Sequence, residues 1–319
     1  MIEPRWVTPA TTRSRIVLEA ASELVGLDRF DAKIADVSLR ERGAQGGALK
    51  FLASDSPAAI QRIASGEAQI GLINPGAPLA LAYRGKGPFA EPVPVRAITV
   101  LPSYDQLAIA IAERTGLSSL TEIKEKRYPL RVSLRAQPDH SIHLFAEHVF
   151  AALGFSLDEL RSWGGGIQYD SGFFFDRRLA AVQRNDVDAI MDEAVEVWLD
   201  DALDQGLRML PLEEPQLRQL EDLGYRRAKL SKAEYPKLPA DVPTLDFSGW
   251  PVFTLASAPN DMVTAFCEAL EARKDRIPWE GEGALPLDRM CHDTAEGPLP
   301  VPLHPAAQAF WRERGYPAD

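Results

Sequence analysis

Two periods of apolar residues alternate along the first two-thirds of the chain. Starting at Thr12, the residues Ile16, Val17, Ala20, Ala21, Leu24 and Val25 recur at three-to-four spacing, and Gly26 follows where a helix would stop. Ser56-Pro57 offers a capping hydroxyl and a first-turn proline ahead of a helix over 58–64 that Gly66 closes, and Ala68 to Ile73 then reads as a short buried strand. Further strands are predicted over 95–100, 106–111, 130–134 and 187–191. Helices are predicted over 121–127, 142–153 and 178–184, the second with Leu144, Phe145, Val149, Ala152 and Leu153 on its apolar face and Gly154 at its end. This alternation is the signature of an α/β chain with helical crossovers, for which parallel strands are the natural reading.

An internal echo points to two similar halves. Ala59-Ile60-Gln61-Arg62, followed by Gly66 to Ile70, has the same helix, tight turn and strand pattern as Ala181 to Ile190. The general likeness of helix-turn-strand units is the other explanation, and both stay open. Beyond Leu210 prolines cluster between Pro236 and Pro259 and again between Pro298 and Pro305, which predicts extended and turning segments rather than a further regular sheet. Two helices interrupt them, over 261–273 and over 305–314, the latter ended by Gly315.

Charge and composition narrow the function classes. The 319 residues carry 35 Lys and Arg against 46 Asp and Glu, a net charge of -11 that repels phosphate backbones, so nucleic acid is not an expected partner. Apolar runs such as Leu107 to Ala112, which stops at Glu113, fall well short of the roughly 20 residues of a membrane span. The N-terminus has Glu3 and Pro4 where an export signal is basic and then apolar, so either the chain is cytoplasmic or a signal was trimmed. Cys267 and Cys291 lack metal-type spacing and make no disulfide framework. Gly164-Gly165-Gly166 lacks the context of a dinucleotide fingerprint, and no cofactor is predicted.

Several stretches resemble the solute-binding receptors of tripartite (TRAP) transporters, specifically the TAXI subfamily. Ser54 to Ile60, Gly66 to Gly71 and Tyr83-Arg84-Gly85-Lys86-Gly87-Pro88-Phe89 resemble that family's first-lobe segment. Leu303 to Ala307 with Phe310 to Gly315 resembles its C-terminal helix, Pro129 to Phe155 its strand, binding loop and second-lobe helix, and Leu179 to Glu193 its next helix and strand. The resemblance implies a two-lobed, hinge-closing receptor of the periplasmic-binding-protein-like type II class, taking a small carboxylate or amino acid and working with TRAP membrane subunits. Two loops depart from the family pattern. The glycine- and tyrosine-rich first loop is here Thr8 to Arg13, and the small loop before the second-lobe helix is Gln137-Pro138-Asp139-His140-Ser141.

In open α/β sheets ligands sit beyond the carboxyl ends of the strands, facing helix N-termini, and this selects the candidate site residues. Thr11, Thr12 and Arg13 open the first helix, as a carboxylate-binding set or as a plain cap with a solvated arginine. Asn74 follows a strand, as a ligand contact or an Asx turn before Pro75. Tyr104 stands where the chain passes between lobes, and Arg135 ends a strand as a second anion anchor or as an ion-pair partner of Asp139. His140 and Ser141 follow in the loop, and Phe173 belongs to an aromatic segment that serves as a lid, a pocket floor or core. Asp192 and Glu193 end the strand over 187–191, positioned to pair an ammonium group on the ligand or to repel a second carboxylate. His140, His143, Glu147 and His148 do not share one face and are not read as a metal set.

The expected architecture is therefore α/β, with two Rossmann-like lobes joined by a hinge. Lobe I takes residues 1–102 and 213–319, lobe II takes 103–212, and the hinges fall near Leu101 to Tyr104 and Leu210 to Pro215. The expected function is capture of a small organic anion in the interlobe cleft for a TRAP-type transporter. The alternative is a cytoplasmic decarboxylase or hydrolase on the same scaffold, with His140, Asp139 and Asp192 as acid and base.

Overall fold

A computed structural model describes residues 9–25, 34–40, 48–170 and 175–318. The chain opens with α1 (Pro9–Val25), β1 (Ala35–Arg40) and β2 (Ala48–Ser54), followed by α2 (Ala58–Ala64), β3 (Ile70–Ile73), α3 (Ala77–Arg84) and β4 (Val95–Leu101). It then crosses into β5 (Ala108–Ala112), α4 (Thr121–Glu125), β6 (Arg131–Arg135), α5 (Ser141–Ala152) and α6 (Leu157–Ser162). Next come β7 (Gly166–Asp170), α7 (Phe175–Gln183), β8 (Ala189–Asp192), α8 (Leu199–Asp204) and β9 (Leu207–Met209). The remainder is α9 (Glu214–Leu223), the antiparallel ribbon β10 (Arg227–Leu230) and β11 (Val242–Leu245), β12 (Trp250–Leu255), α10 (Asn260–Arg273) and α11 (Pro305–Glu313).

Two five-stranded sheets form two lobes of mixed α/β structure. The first has the order β1-β2-β3-β12-β4 and the second β7-β6-β8-β5-β9. Parallel pairing joins β2 to β3 in one, and β7 to β6 to β8 in the other. The sheets are not uniformly parallel, as the alternation alone had suggested: β12 runs antiparallel to β3 and β4, and β5 antiparallel to β8 and β9. Each of these antiparallel strands is the one the chain enters on crossing between lobes. All five residues of β5 are buried, as in a strand covered on both faces.

The proline-rich region contains a central strand where only irregular chain was expected. In β12, Pro251 sits one residue before Val252 and Phe253, the two positions paired on both sides, and the register shifts between those two. A residue without an N–H is tolerated near a strand start, so the proline signal misleads here. The internal echo corresponds to α2–β3 and α7–β8, whose turns place Gly66 at φ 76° and Asn185 at φ 61°, both left-handed. Ser56 Oγ accepts the Ala58 N–H at 3.2 Å, which supplies the hydroxyl expected at the start of α2.

The first crossing lies beside the second. The Asp105 carbonyl accepts the Phe247 N–H at 2.9 Å and the Ser103 carbonyl accepts the Gly249 N–H at 2.8 Å, while Gln106 bridges Asp246 antiparallel. Ser248 Oγ both accepts the Asp105 N–H and donates to the Asp105 carbonyl, each at 3.0 Å. The second crossing thus lies over 245–249, beyond the 210–215 of the sequence expectation. Between those points α9 packs on α5, and Leu230, Leu238 and Val242 share a buried cluster with Trp198, Leu199 and Leu207. Residues 213–245 therefore stay with the second sheet, contrary to the expected boundary, because their apolar faces find partners there. The last segment returns to the first sheet, where His304 donates its N–H to the Ala97 carbonyl at 2.7 Å and buried Trp311 donates Nε1–H to the Ile98 carbonyl at 3.0 Å.

Gly71 in β3 lies directly under Phe253. A Cβ at this position would stand 2.6 Å from Phe253 Cε1, and that ring is fully buried and has no solvent to move into. Gly71→Ala is expected to lower unfolding stability by about 1–3 kcal/mol in urea denaturation. A change below about 0.5 kcal/mol would show that the ring repacks freely.

Candidate functional site

A cavity of about 450 Å³ opens between the two sheets, beyond the carboxyl ends of β2, β3, β6 and β8. Ala53, Ser54, Asp55, Leu72 and Asn74 line it from the first lobe, with Trp250 from the start of β12 and Glu280 at the mouth. Ser103, Tyr104 and Asp105 contribute the crossing, and Arg135, His140, Glu193, Ala194, Glu196 and Val197 the second lobe. The position follows from topology, since the strands leading into both lobes end at the same cleft.

Beneath the second-lobe wall lies a buried ionic network. Asp192 is wholly buried; its Oδ1 accepts Arg135 Nε–H at 2.8 Å and its Oδ2 accepts from Arg178 Nη1. Arg178, 1% exposed, also donates to Ser133 Oγ at 2.9 Å and to the Ser133 carbonyl at 2.7 Å. Burial by itself pushes the Asp192 carboxyl up, but Arg135 and Arg178 more than offset it and hold the group below the usual carboxylate range. On the far side of Arg135, Glu193 Oε1 stands 3.6 Å from Nη2.

His140 caps α5. Its Nδ1 accepts the Ile142 N–H at 3.1 Å, so the ring proton sits on Nε2, 3.4 Å from Glu193 Oε1. The contact of Nε2 with Arg135 Nη1 at 3.2 Å is then between two donors and is no hydrogen bond. The other leading amides of α5 are also occupied: Ser141 N–H donates to the Asp55 carbonyl at 3.1 Å and His143 N–H to the His140 carbonyl at 3.2 Å. This helix N-terminus is consumed by the protein itself and offers little to an anion.

Contacts across the cleft latch the lobes together. Ser141 Oγ donates to the Asp55 carbonyl at 2.6 Å, and Gln137 Nε2–H to Asp55 Oδ2 at 2.7 Å. Asp105 reaches from the crossing into the second lobe, where its carboxylate accepts N–H bonds from Ala194 at 2.8 Å and Val195 at 3.4 Å. Ala194 has φ 54°, a left-handed conformation unfavourable for alanine that this carboxylate holds in place. Burial, reinforced by Glu193, pushes the Asp105 carboxyl well above the usual range despite its backbone donors.

Of the residues singled out from sequence, Asn74, Tyr104, Arg135, His140 and Glu193 line the cavity. Ser141 is buried beside it and works as a latch. Asp192, expected at the ligand, is instead the counter-ion beneath Arg135. Thr11, Thr12 and Arg13 do not line the cavity: α1 already begins at Pro9, so they lie within its first turns, Thr12 and Arg13 exposed. Phe173 lies outside the described residues. Asp139 is exposed and Asp192 is locked between guanidinium groups, so the acid–base set drawn from Asp139, His140 and Asp192 is not assembled. Asp55, Asp105, Trp250, Glu196 and Glu280 were not singled out as ligand contacts. Asp55 follows a strand just as Asn74 does, the one local signal that could have found it.

Comparison with known proteins adds a family and distant likenesses. Residues 38–315 match the NMT1-like family. No curated protein matches the chain. Among solved structures, lactococcal OpuAC, closed and complexed with glycine betaine, is similar at 12% identity over 82% of this chain and 82% of that one, with a TM-score of 0.37. PhnD1 from Prochlorococcus marinus, in complex with methylphosphonate, is similar at 12% identity over 71% of each chain, TM-score 0.38. The alkanesulfonate-binding protein SsuA from Xanthomonas axonopodis pv. citri, bound to MOPS, is similar at 13% identity over 68% of this chain and 80% of that one, TM-score 0.31.

Two predictions follow from the charges. Asp192→Asn leaves two buried guanidinium groups without their shared carboxylate and is expected to cost about 3–5 kcal/mol of stability in urea denaturation. The raised Asp105 pKa has the opposite sign to the lowered one of Asp192. Its folded form holds a proton that the unfolded chain releases near pH 4, so its stabilising contribution is present at acidic pH and lost as pH rises through the folded value. The thermal midpoint should therefore fall less steeply with rising pH above about 4 in Asp105→Asn than in the parent, while the loss of stability below that pH, set by Asp192, should persist.

Proposed function

The chain belongs to the NMT1-like family, and from that premise we propose that it is a solute-binding receptor that traps a small organic molecule between its lobes. The observation that carries this reading is the cavity walled by both sheets, with two adjacent antiparallel crossings at one end and direct lobe-to-lobe hydrogen bonds through Asp55. Its volume of about 450 Å³ falls within the roughly 300–1,000 Å³ typical of small-molecule sites.

Rotation about 103–107 and 245–249 separates Asp55 from Gln137 and Ser141 and opens the cavity to solvent. Binding then favours the closed arrangement, because only there do both walls touch the solute. The closed receptor presents a surface composed of both lobes to the membrane subunits of a transporter, and the TRAP type is the partner that the resemblance to TAXI receptors implies. Arg135, the expected handle for a carboxylate, is already held by Asp192 and faced by Glu193, so the other lining groups decide the charge of the solute.

A thermal-shift screen of amino acids, organic acids and amines tests the reading. At least one compound should bind one-to-one, be recovered chemically unchanged, and shrink the radius of gyration in small-angle scattering. At a hundredfold excess over its dissociation constant the stabilisation should approach about 2.7 kcal/mol. Conversion of the compound to product would overturn the receptor reading.

A further inference from the structure

We propose that the interlobe cavity is built for a small organic cation, a solute bearing an ammonium or guanidinium group. This names the solute class of the receptor described above and rests on that reading. Among the described residues, the guanidinium groups of Arg135 and Arg178 face more carboxyls than they can neutralise. Asp192 and Glu193 take up their charge, and Asp55, Glu196 and Glu280 are left around the same cavity.

Two of these carboxyls have an oxygen with nothing to accept. Glu193, 3% exposed, and Asp55, 8% exposed, both line the cavity, and among the described residues neither Glu193 Oε2 nor Asp55 Oδ1 has a hydrogen-bond partner. Buried acceptors without donors are uncommon in folded proteins and point to a missing partner. An ammonium or guanidinium supplies several N–H donors together with the opposite charge, whereas a carboxylate supplies neither. Tyr104 and Trp250 add aromatic surface of the kind that attracts such cations. Burial, with a neighbouring carboxyl in each case, raises the carboxyls of Asp105 and Glu280 above their usual range. A bare metal ion does not suit the site, because among the described residues no group of three or more His, Cys, Asp or Glu converges closely enough to hold one.

The test uses putrescine, choline and arginine as cationic or cation-bearing probes, and succinate, benzoate and glutamate as anionic ones, each titrated calorimetrically into the full chain. At least one of the first three should bind one-to-one and more tightly than any of the second three. Glu193→Gln should weaken that binding by at least about tenfold, and Asp55→Asn should do the same by itself, so that one variant suffices if the other does not fold. Tighter binding of an anion overturns the inference while leaving the receptor reading intact, and binding by neither set overturns the inference as well. Chemical conversion of a bound cation, detected by mass spectrometry, supports the charge assignment and sinks the receptor reading.

Discussion

The two crossings between the lobes are bound to one another, and much of the structure depends on that constraint. Backbone hydrogen bonds join Ser103 to Gly249 and Asp105 to Phe247, and Ser248 Oγ ties to both the N–H and the carbonyl of Asp105. Each crossing feeds directly into the antiparallel strand of a sheet, β5 in one and β12 in the other. With both sheets anchored from the same side, the carboxyl ends of their parallel strands face a common cleft. A displacement at this double strand moves one whole sheet against the other, which is the geometry of a hinge.

A second constraint is electrostatic. Arg135 and Arg178 enclose Asp192 at the base of the second lobe, joining β6, α7 and β8 through charge-assisted bonds out of reach of water. That network fixes where Arg135 points and absorbs the positive charge that a sequence reading assigns to an anionic ligand. The surrounding wall is left predominantly acidic. One buried carboxylate thus fixes two guanidinium groups on which the second-lobe wall is built.

Packing around the crossing adds to these constraints. Phe145 on α5 meets Phe247 of the crossing at 4.3 Å between ring centroids, and the ring of Tyr225 after α9 at 5.8 Å. His148 Nδ1 lies 2.7 Å from the Tyr225 hydroxyl, and α3 reaches the same region through Arg84, which donates to the Glu221 carbonyl at 3.0 Å. The Arg84 bond on this side and the Asp55 latches at the cleft hold the two lobes against one another.

What the sequence by itself determined is local. Helical period, terminating glycines and short β-rich runs placed α2, α5, α10 and α11 and the strands β3, β4, β6 and β8 close to their positions, because these signals act between residues a few places apart. They also placed Arg135, Asn74 and Glu193 at strand ends and therefore near a cleft. Tertiary structure alone decided that β12 runs through the middle of the first sheet despite Pro251, and that residues 213–245 stay with the second. Pairing partners in a sheet lie far apart in sequence and leave no periodic trace. It also decided the character of the cavity: Asp55, Asp105, Glu193 and Glu280 come from four distant stretches, and only the folded sheets bring them together.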